Sequence, residues 1–421
     1  MTQGIIISAP SSASGKTTIT LGLLRALKRS GVDIRSAKSG PDYIDPRFHA
    51  AASGSECVNL DAWAMSNDRI RALAASPSPL IIEGAMGLFD GAPPHGKGAT
   101  ADLAQILGLP VVLVLDVASQ AQSVAAVALG FSQLRPNVKI AGLILNKVGS
   151  PRHEEMLRSA LDAIGIPVIG AVYRQTNLET PSRHLGLVQA QERDDLEQFL
   201  DTAADIVEQS VDIKQLIALM ASANTDVTAH PRLAPPSQSI AIARDRAFSF
   251  AYPHLLADWK AMGAEISFFS PLNDEAPAPA DLVFLPGGYP ELHAGQLAQA
   301  SNFKLGIQNA TQVYGECGGY MTMGEGLIDA QGKRHEMLGL LNLETSFAKR
   351  KLHLGYRRLS PNSLWSGTLS GHEFHYATTL KSAGDPLFSA QDAVGNNLPP
   401  MGLINGPHSG SFAHIIDRHI P

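Results

Sequence analysis

Five nearly continuous apolar runs punctuate the first 175 residues, namely GIIIS, PLIIEGA, PVVLVLDVA, KIAGLILNKV and PVIGAVY, and helix-length segments separate them. Runs without polar alternation fit strands buried on both faces, the condition of a parallel sheet covered by helices. After the first run, Ile19, Leu23, Ala26 and Leu27 recur at helical spacing, and Ser150 with Pro151 opens a later helical segment that Gly165 and Pro167 close. The pattern predicts an α/β fold built from βαβ units around a parallel sheet. In such sheets ligands bind beyond the carboxyl ends of the strands, so the loops there are where chemistry is to be sought.

At 421 residues the chain exceeds one ordinary core, and two domains are expected. From about residue 201 the alternation weakens, passes through a helical stretch and enters MASANTDVTAHPRLAPPSQS, rich in small, polar and Pro residues. A second α/β series starts at SIAIARD and continues through EISFFSPL, DLVFLPGG and QVYGECGG. The expected division is therefore a first domain over 1–200, a connecting segment over 201–238 and a second domain over 239–421. A net charge of −6 gives no general positive field for nucleic acid or an anionic membrane. No window reaches the roughly 18 apolar residues that span a bilayer. The opening MTQGIIISAP has no Lys or Arg ahead of its apolar run, and a cytoplasmic protein is expected. Cys57 and Cys317, far apart, argue against a disulfide framework. Composition does not fix the oligomeric state, and a homodimer is compatible with it.

The segment SAPSSASGKTTITLGLL follows the first run and opens the first helix, where a P-loop must sit if backbone amides are to cradle phosphates. Ser14, Gly15, Lys16, Thr17 and Thr18 are the expected ATP contacts. Lys16 would reach the β/γ-phosphates and Thr17 would help to hold Mg²⁺. Pro10 stands where the first Gly of this motif usually stands. In KSGPDYIDPRFH, Asp42 and Asp45 lie three apart with Tyr43 between them, Glu83 ends the run PLIIEGA, and Asp90 follows in GLFDG. Such hard oxygens suit Mg²⁺ and the positioning of a carboxylate, and Tyr43 is a candidate for substrate contact. Asn146, ending KIAGLILNKV, stands where P-loop proteins often read the nucleotide base; it is equally suited to a routine cap.

In QVYGECGGYM an apolar strand runs into Gly-rich sequence and then a helical segment, the layout of a nucleophile elbow with Cys317 in place of serine. A helix N-terminus behind the sulfur is expected to lower its pKa. Gly287 and Gly288, in LPGGYPELHA, offer adjacent N–H groups to an oxyanion, and His414, in GSFAHIID, can take the thiol proton and return it to a leaving group. His372 and His375 in GHEFHYA lack H-E-x-x-H spacing, and on a strand Glu373 and His375 point away from His372. Substrate contact or packing, not a metal, is expected there.

Seven segments, SGKTT, GPDYIDP, EGAMGLFDG, LPGGYPELHA, GECGGYM, GHEFHYA and GSFAH, follow one another over nearly the whole chain. Together they resemble the cobyrinic acid a,c-diamide synthase family, including its hydrogenobyrinic acid counterpart. The resemblance implies a dethiobiotin-synthetase-like ATP domain joined to a class I-like glutamine amidotransferase α/β domain of the cobyric acid synthase type. It implies that Cys317 is the nucleophile, that His414 raises its nucleophilicity, and that Lys16, Asp42, Asp45 and Glu83 serve ATP, Mg²⁺ and carboxylate activation. The implied reaction amidates the a and c acetates of a corrin polycarboxylate with ammonia from glutamine, through an acyl phosphate. Ordinary triad amidotransferases carry an acid two residues after the histidine, where this chain has Ile416; this agrees with the Cys–His dyad that the resemblance implies, and nothing in the sequence shows whether Glu373 substitutes in space. Lys349, Arg350 and Arg357, in TSFAKRKLHLGYRR, form either a solvated face or a basic rim for the ring's carboxylates. One rival is amidation of other corrin side chains, as by cobyric acid synthase. Another is a P-loop regulatory ATPase with a degenerate amidotransferase module, against which intact Cys317 and His414 count.

Overall fold

The structure, a computed structural model, describes residues 2–175, 190, 193, 195–227 and 230–420. It divides into two units, Met1–His230 and Pro231–Pro421.

In the first unit seven strands run parallel: β1 (Gln3–Ser8), β2 (Arg35–Ser39), β3 (Val58–Leu60), β4 (Leu80–Glu83), β5 (Val111–Asp116), β6 (Ile140–Val148) and β7 (Val168–Tyr173). Their order is β3-β2-β4-β1-β5-β6-β7, and the short β8 (Ala221–Ser222) pairs antiparallel with the start of β1. Ile5, Ile6, Ile7, Ile81, Ile82, Val112, Leu113 and Val114 are wholly buried, so both faces of the central strands are covered, as their unbroken apolar runs predict. Helix α1 (Lys16–Arg29) follows β1 and α2 (Asp45–Ser53) follows β2. The chain leaves β1, β2 and β4 at the same edge of the sheet, which brings the P-loop, the Asp42–Asp45 loop and Glu83 together.

The expected connecting segment 201–238 needs correction. Helices Leu196–Ser210 and Ile213–Leu219 occupy its first part, and Phe199, Leu200 and Val207 enter one core with Leu23, Leu24 and Leu27 of α1. Arg25 and Arg29 of α1 pair with Asp201 and Asp205 at 2.7 and 2.6 Å. The apolar stripe of the 196–210 helix covers one face of the parallel sheet, so this stretch is domain and not linker.

The second unit opens with β9 (Ser239–Ala243), β10 (Glu265–Phe269), β11 (Leu282–Leu285) and β12 (Val313–Glu316). They lie parallel in the order β10-β9-β11-β12, and strands His408–Ser411 and Leu403–Asn405 extend that sheet. A five-stranded antiparallel sheet contains His353–Pro361, Leu369–His375 and Ala413–Arg418 as neighbours. Ser411 of the first sheet pairs with Glu316, and only Phe412 separates it from the strand of the second sheet that bears His414. This switch between sheets delivers a histidine to the end of β12.

Candidate active sites

In the first unit, Gly15 caps α1 in the left-handed region (φ 86°), and the buried Lys16 and half-buried Thr17 and Thr18 form its first turn. Ser14 Oγ donates to the carbonyl of Ser11 at 2.9 Å. Asn146 Nδ2 donates to the carbonyl of Ser14 at 2.9 Å, so Asn146 braces the phosphate loop from β6. Lys147 completes the brace, bonding Asp116 at 2.6 Å and the carbonyl of Ala13 at 3.3 Å. Burial, reinforced by Lys38, lowers the pKa of Lys16 against the pull of Glu83, Asp45 and Asp42.

Lys38, which the apolar pattern does not flag, is the hub of the acids. Its ammonium donates to Glu83 Oε1 at 2.9 Å, pairs with Asp45, and lies 3.9 Å from Asp42 Oδ2. Burial opposes its charge, yet the carboxylates of Asp45, Glu83 and Asp42 outweigh this and hold its pKa above the ordinary lysine value. Glu83 is fully buried and accepts from three donors: Lys38, the Thr17 hydroxyl at 2.5 Å and His49 Nε2 at 2.5 Å. Burial would raise its pKa, but Lys38 and His49 outweigh burial and drive it far below the usual carboxylate range. His49, whose Nδ1 lies 3.6 Å from Cys57 Sγ, is raised to about 10 because Cys57 and Glu83 overcome the cost of burial. Glu83 is thus a fixed anion, whereas burial and Asp45 raise the Asp42 carboxyl above its normal range.

Thr17, Asp42, Asp45 and Glu83 present the hard oxygens that Mg²⁺ takes, and the side chains of Asp42 and Asp45 remain 32% and 25% exposed. The chemistry of these oxygens suits the ion, which would share them with the Lys38 ammonium that pairs with Asp45 and Glu83. Asp90 stands apart from this cluster: it is exposed and accepts from Gly87 N at 2.9 Å within its own turn. Half-buried Tyr43 lies between the two loop acids.

In the second unit Cys317 sits between β12 and the helix Gly318–Met323 with φ 45° and ψ −99°, a strained conformation of the kind found at nucleophile elbows. Its N–H donates to Ser411 O at 2.8 Å and its sulfur lies 3.9 Å from Phe374 O. The elbow demands close backbone approach: a Cβ on Gly319 would lie 1.8 Å from the Leu285 carbonyl oxygen. Gly319→Ala is therefore expected to destabilise the protein by about 3 kcal/mol, the upper part of the range for overpacking, as read by denaturant unfolding. A variant as stable as wild type would contradict this packing.

The His414 ring lies over the Gly287 loop, since a Cβ on Gly287 would come within 2.2 Å of its Cε1. Gly288 N lies 2.9 Å from where a Cβ on Gly318 would stand, so this loop and the elbow are in contact. His414 and Glu316 are both buried, with His414 Nδ1 3.7 Å from Glu316 Oε2.

One expectation changes here, and two open readings close. Burial, aided by Glu291, Glu373 and Glu316, pushes the Cys317 thiol up, against a weaker backbone bond involving Gly318; the short helix does not lower it in this state. Glu373 does not serve His414: it pairs with Arg357 at 2.6 Å and His375 at 2.9 Å, and these partners outweigh burial and hold it at about 2. Arg357 is correspondingly no free member of a basic rim, while Lys349 and Arg350 are exposed. His372 faces His414 across the strand pair, and burial with the nearby His414 charge lowers it to about 3. His375 stacks on Phe412 at 3.8 Å and on His353 at 4.6 Å. Although His353, Glu373 and His375 cluster closely, the Arg357 charge on Glu373 opposes a cation there.

Residues 5–188 match the CobQ/CobB/MinD/ParA nucleotide binding domain, and residues 239–419 match the CobB/CobQ-like glutamine amidotransferase domain. Among curated proteins, the chain is 56% identical to hydrogenobyrinate a,c-diamide synthase of Brucella anthropi, covering 99% of this chain and 98% of that one. It is 53% identical to the same enzyme of a Sinorhizobium species, covering 99% of each. To that of Rhodobacter capsulatus it is 50% identical, over 98% of each chain. A P-loop nucleotide domain followed by a glutamine amidotransferase domain defines a glutamine-dependent amide ligase. Within that class, the chain belongs to the hydrogenobyrinate a,c-diamide synthase family. Among the described residues no helix is long and apolar enough to cross a membrane.

Proposed function

We propose that this chain amidates the a and c acetate side chains of hydrogenobyrinic acid, using ATP and ammonia from glutamine, in cobalamin biosynthesis. The observation that carries it is the gathering of Lys38, Glu83, Asp45 and Asp42 beside the P-loop, in a chain similar from end to end to the synthases named above. A carboxylate oxygen is a poor leaving group, so it must be activated before ammonia can replace it. The substrate carboxylate attacks the γ-phosphorus, ADP departs, and an acyl phosphate forms. Lys16 draws charge from the moving phosphoryl group, and Lys38 holds Glu83 and Asp45 in place around it. Thr17, Asp42, Asp45 and Glu83 are the residues that would hold Mg²⁺, which would supply positive charge against the negative charge building on the phosphoryl group.

At the second site the Cys317 sulfur attacks the glutamine side-chain carbonyl, His414 takes the thiol proton, and the N–H groups of Gly287 and Gly288 receive the oxyanion. His414 returns the proton as the C–N bond breaks and ammonia leaves; water then hydrolyses the glutamyl thioester. Ammonia attacks the acyl carbon and phosphate departs. Each amide consumes one ATP and one glutamine.

Incubation with ATP, Mg²⁺, glutamine and either hydrogenobyrinic or cobyrinic acid, followed by mass spectrometry, tests the reading. Two successive replacements of OH by NH₂ on the cobalt-free ring are expected. Substitution of other side chains, or no amidation of either ring while glutamine is hydrolysed, would overturn it.

A further inference from the structure

We infer that Glu316 is the positioning residue for His414, supplying the carboxylate that the position of Ile416 lacks. The inference rests on the thiol-site reading above. Glu316 is the last residue of β12, next to the nucleophile, and only 4% exposed. Its Oε1 accepts from Ile415 N at 3.1 Å and from the Tyr314 hydroxyl at 3.0 Å. The carboxylate is thereby fixed to the strand of His414, one residue beyond the imidazole. Its Oε2 then faces His414 Nδ1 at 3.7 Å, longer than a hydrogen bond and within ion-pair range.

Behind Glu316 lies a cavity whose walls include Leu256, Trp259, Phe284 and Trp365. Apolar walls leave the carboxylate's field on His414 poorly screened. Glu373, another buried acid of this unit, is paired with Arg357 and His375. An anion at Nδ1 favours the tautomer with its proton there, leaving the Nε2 lone pair to take the thiol proton, and it stabilises the imidazolium that results. An amide nitrogen in its place would donate to Nδ1 and favour the opposite tautomer.

Glu316→Gln is accordingly expected to lower the kcat of glutamine hydrolysis by about 100-fold or more, leaving KM within about threefold, because tautomer and charge act on the chemical step. Ammonia-driven synthesis should persist. Tyr314→Phe, which removes one clamp and keeps the charge, should cost less than about 10-fold. Among the described residues, Glu316 and His372 are titratable groups beside His414, whereas Phe250 and Gly287 bring no charge. Nitrogen-15 NMR of histidine-labelled wild type should find the neutral ring's proton on Nδ1, and a proton on Nε2 would overturn the inference whatever the variants do. Wild-type kcat in Glu316→Gln would overturn it too. If Cys317→Ala also leaves glutamine hydrolysis intact, the thiol-site reading itself fails, which separates the two outcomes.

Discussion

Cys317→Ala should abolish glutamine hydrolysis, by at least about 10⁴-fold, because no other group in the site can form the glutamyl thioester. Diamide formation from glutamine should vanish with it. Formation from ATP and added ammonium chloride at alkaline pH should continue within a few-fold of wild type, since the sulfur plays no part in activating the ring carboxylate. The substitution removes a buried sulfur from a strained position (φ 45°), so unfolding of the second unit must be monitored by thermal melting. A folded variant that still releases glutamate at more than a few per cent of the wild-type rate would end the nucleophile assignment. One that loses the ammonia-driven reaction as well would contradict two chemically separate sites.

Chemistry was legible in this sequence where function needs a backbone shape, and much less so where it needs a buried charge. SGKTT and GECGG announce themselves because a phosphate cradle and an elbow require Gly or Ser at fixed places beside a strand. The runs of β1, β4 and β5 were legible for a similar reason, being covered on both faces. Strands β2 and β3 read RSAKS and VNL, and Ser36, Lys38, Ser39 and Asn59 lie buried in them. Nothing in such a pattern distinguishes a buried lysine from a solvated one until Asp42 and Asp45 fold back from the next loop and Glu83 arrives from the end of β4. Glu316 was hidden differently: it sits inside the recognised motif, and its meaning comes from Ile415 N, a hundred residues away in the chain. The Arg357–Glu373 pair likewise depends on cross-strand register, Gly355 opposite Glu373, which no local spacing encodes. The rise in the Cys317 pKa follows from burial and from Glu291 on another loop, so the short helix behind the sulfur was a poor guide to it.

Lys38→Met tests the other half of the enzyme, with an opposite signature. Methionine preserves most of the side chain's length and removes its charge, leaving the buried Glu83 paired with His49 and near Lys16. Breaking a buried ion pair from one side costs about 3–5 kcal/mol, a large share of the stability of a single unit. The pH dependence has a definite sign. Glu83, with its folded pKa below the unfolded value, contributes stability that is present above the unfolded pKa of about 4.3 and is lost as pH falls toward the folded value. Without Lys38 that difference shrinks, so the variant's melting temperature should fall less on acidification than the wild type's, from a lower starting point at neutral pH. In activity, both glutamine-driven and ammonia-driven synthesis should drop by about 100-fold or more, the scale on which positioned charges act in phosphoryl transfer. Glutamate release should stay near wild type, because the thiol, His414 and Glu316 lie in the other unit. Ammonia-driven synthesis within about fivefold of wild type would show that Lys38 merely neutralises buried acids and takes no part in arranging them for carboxylate activation.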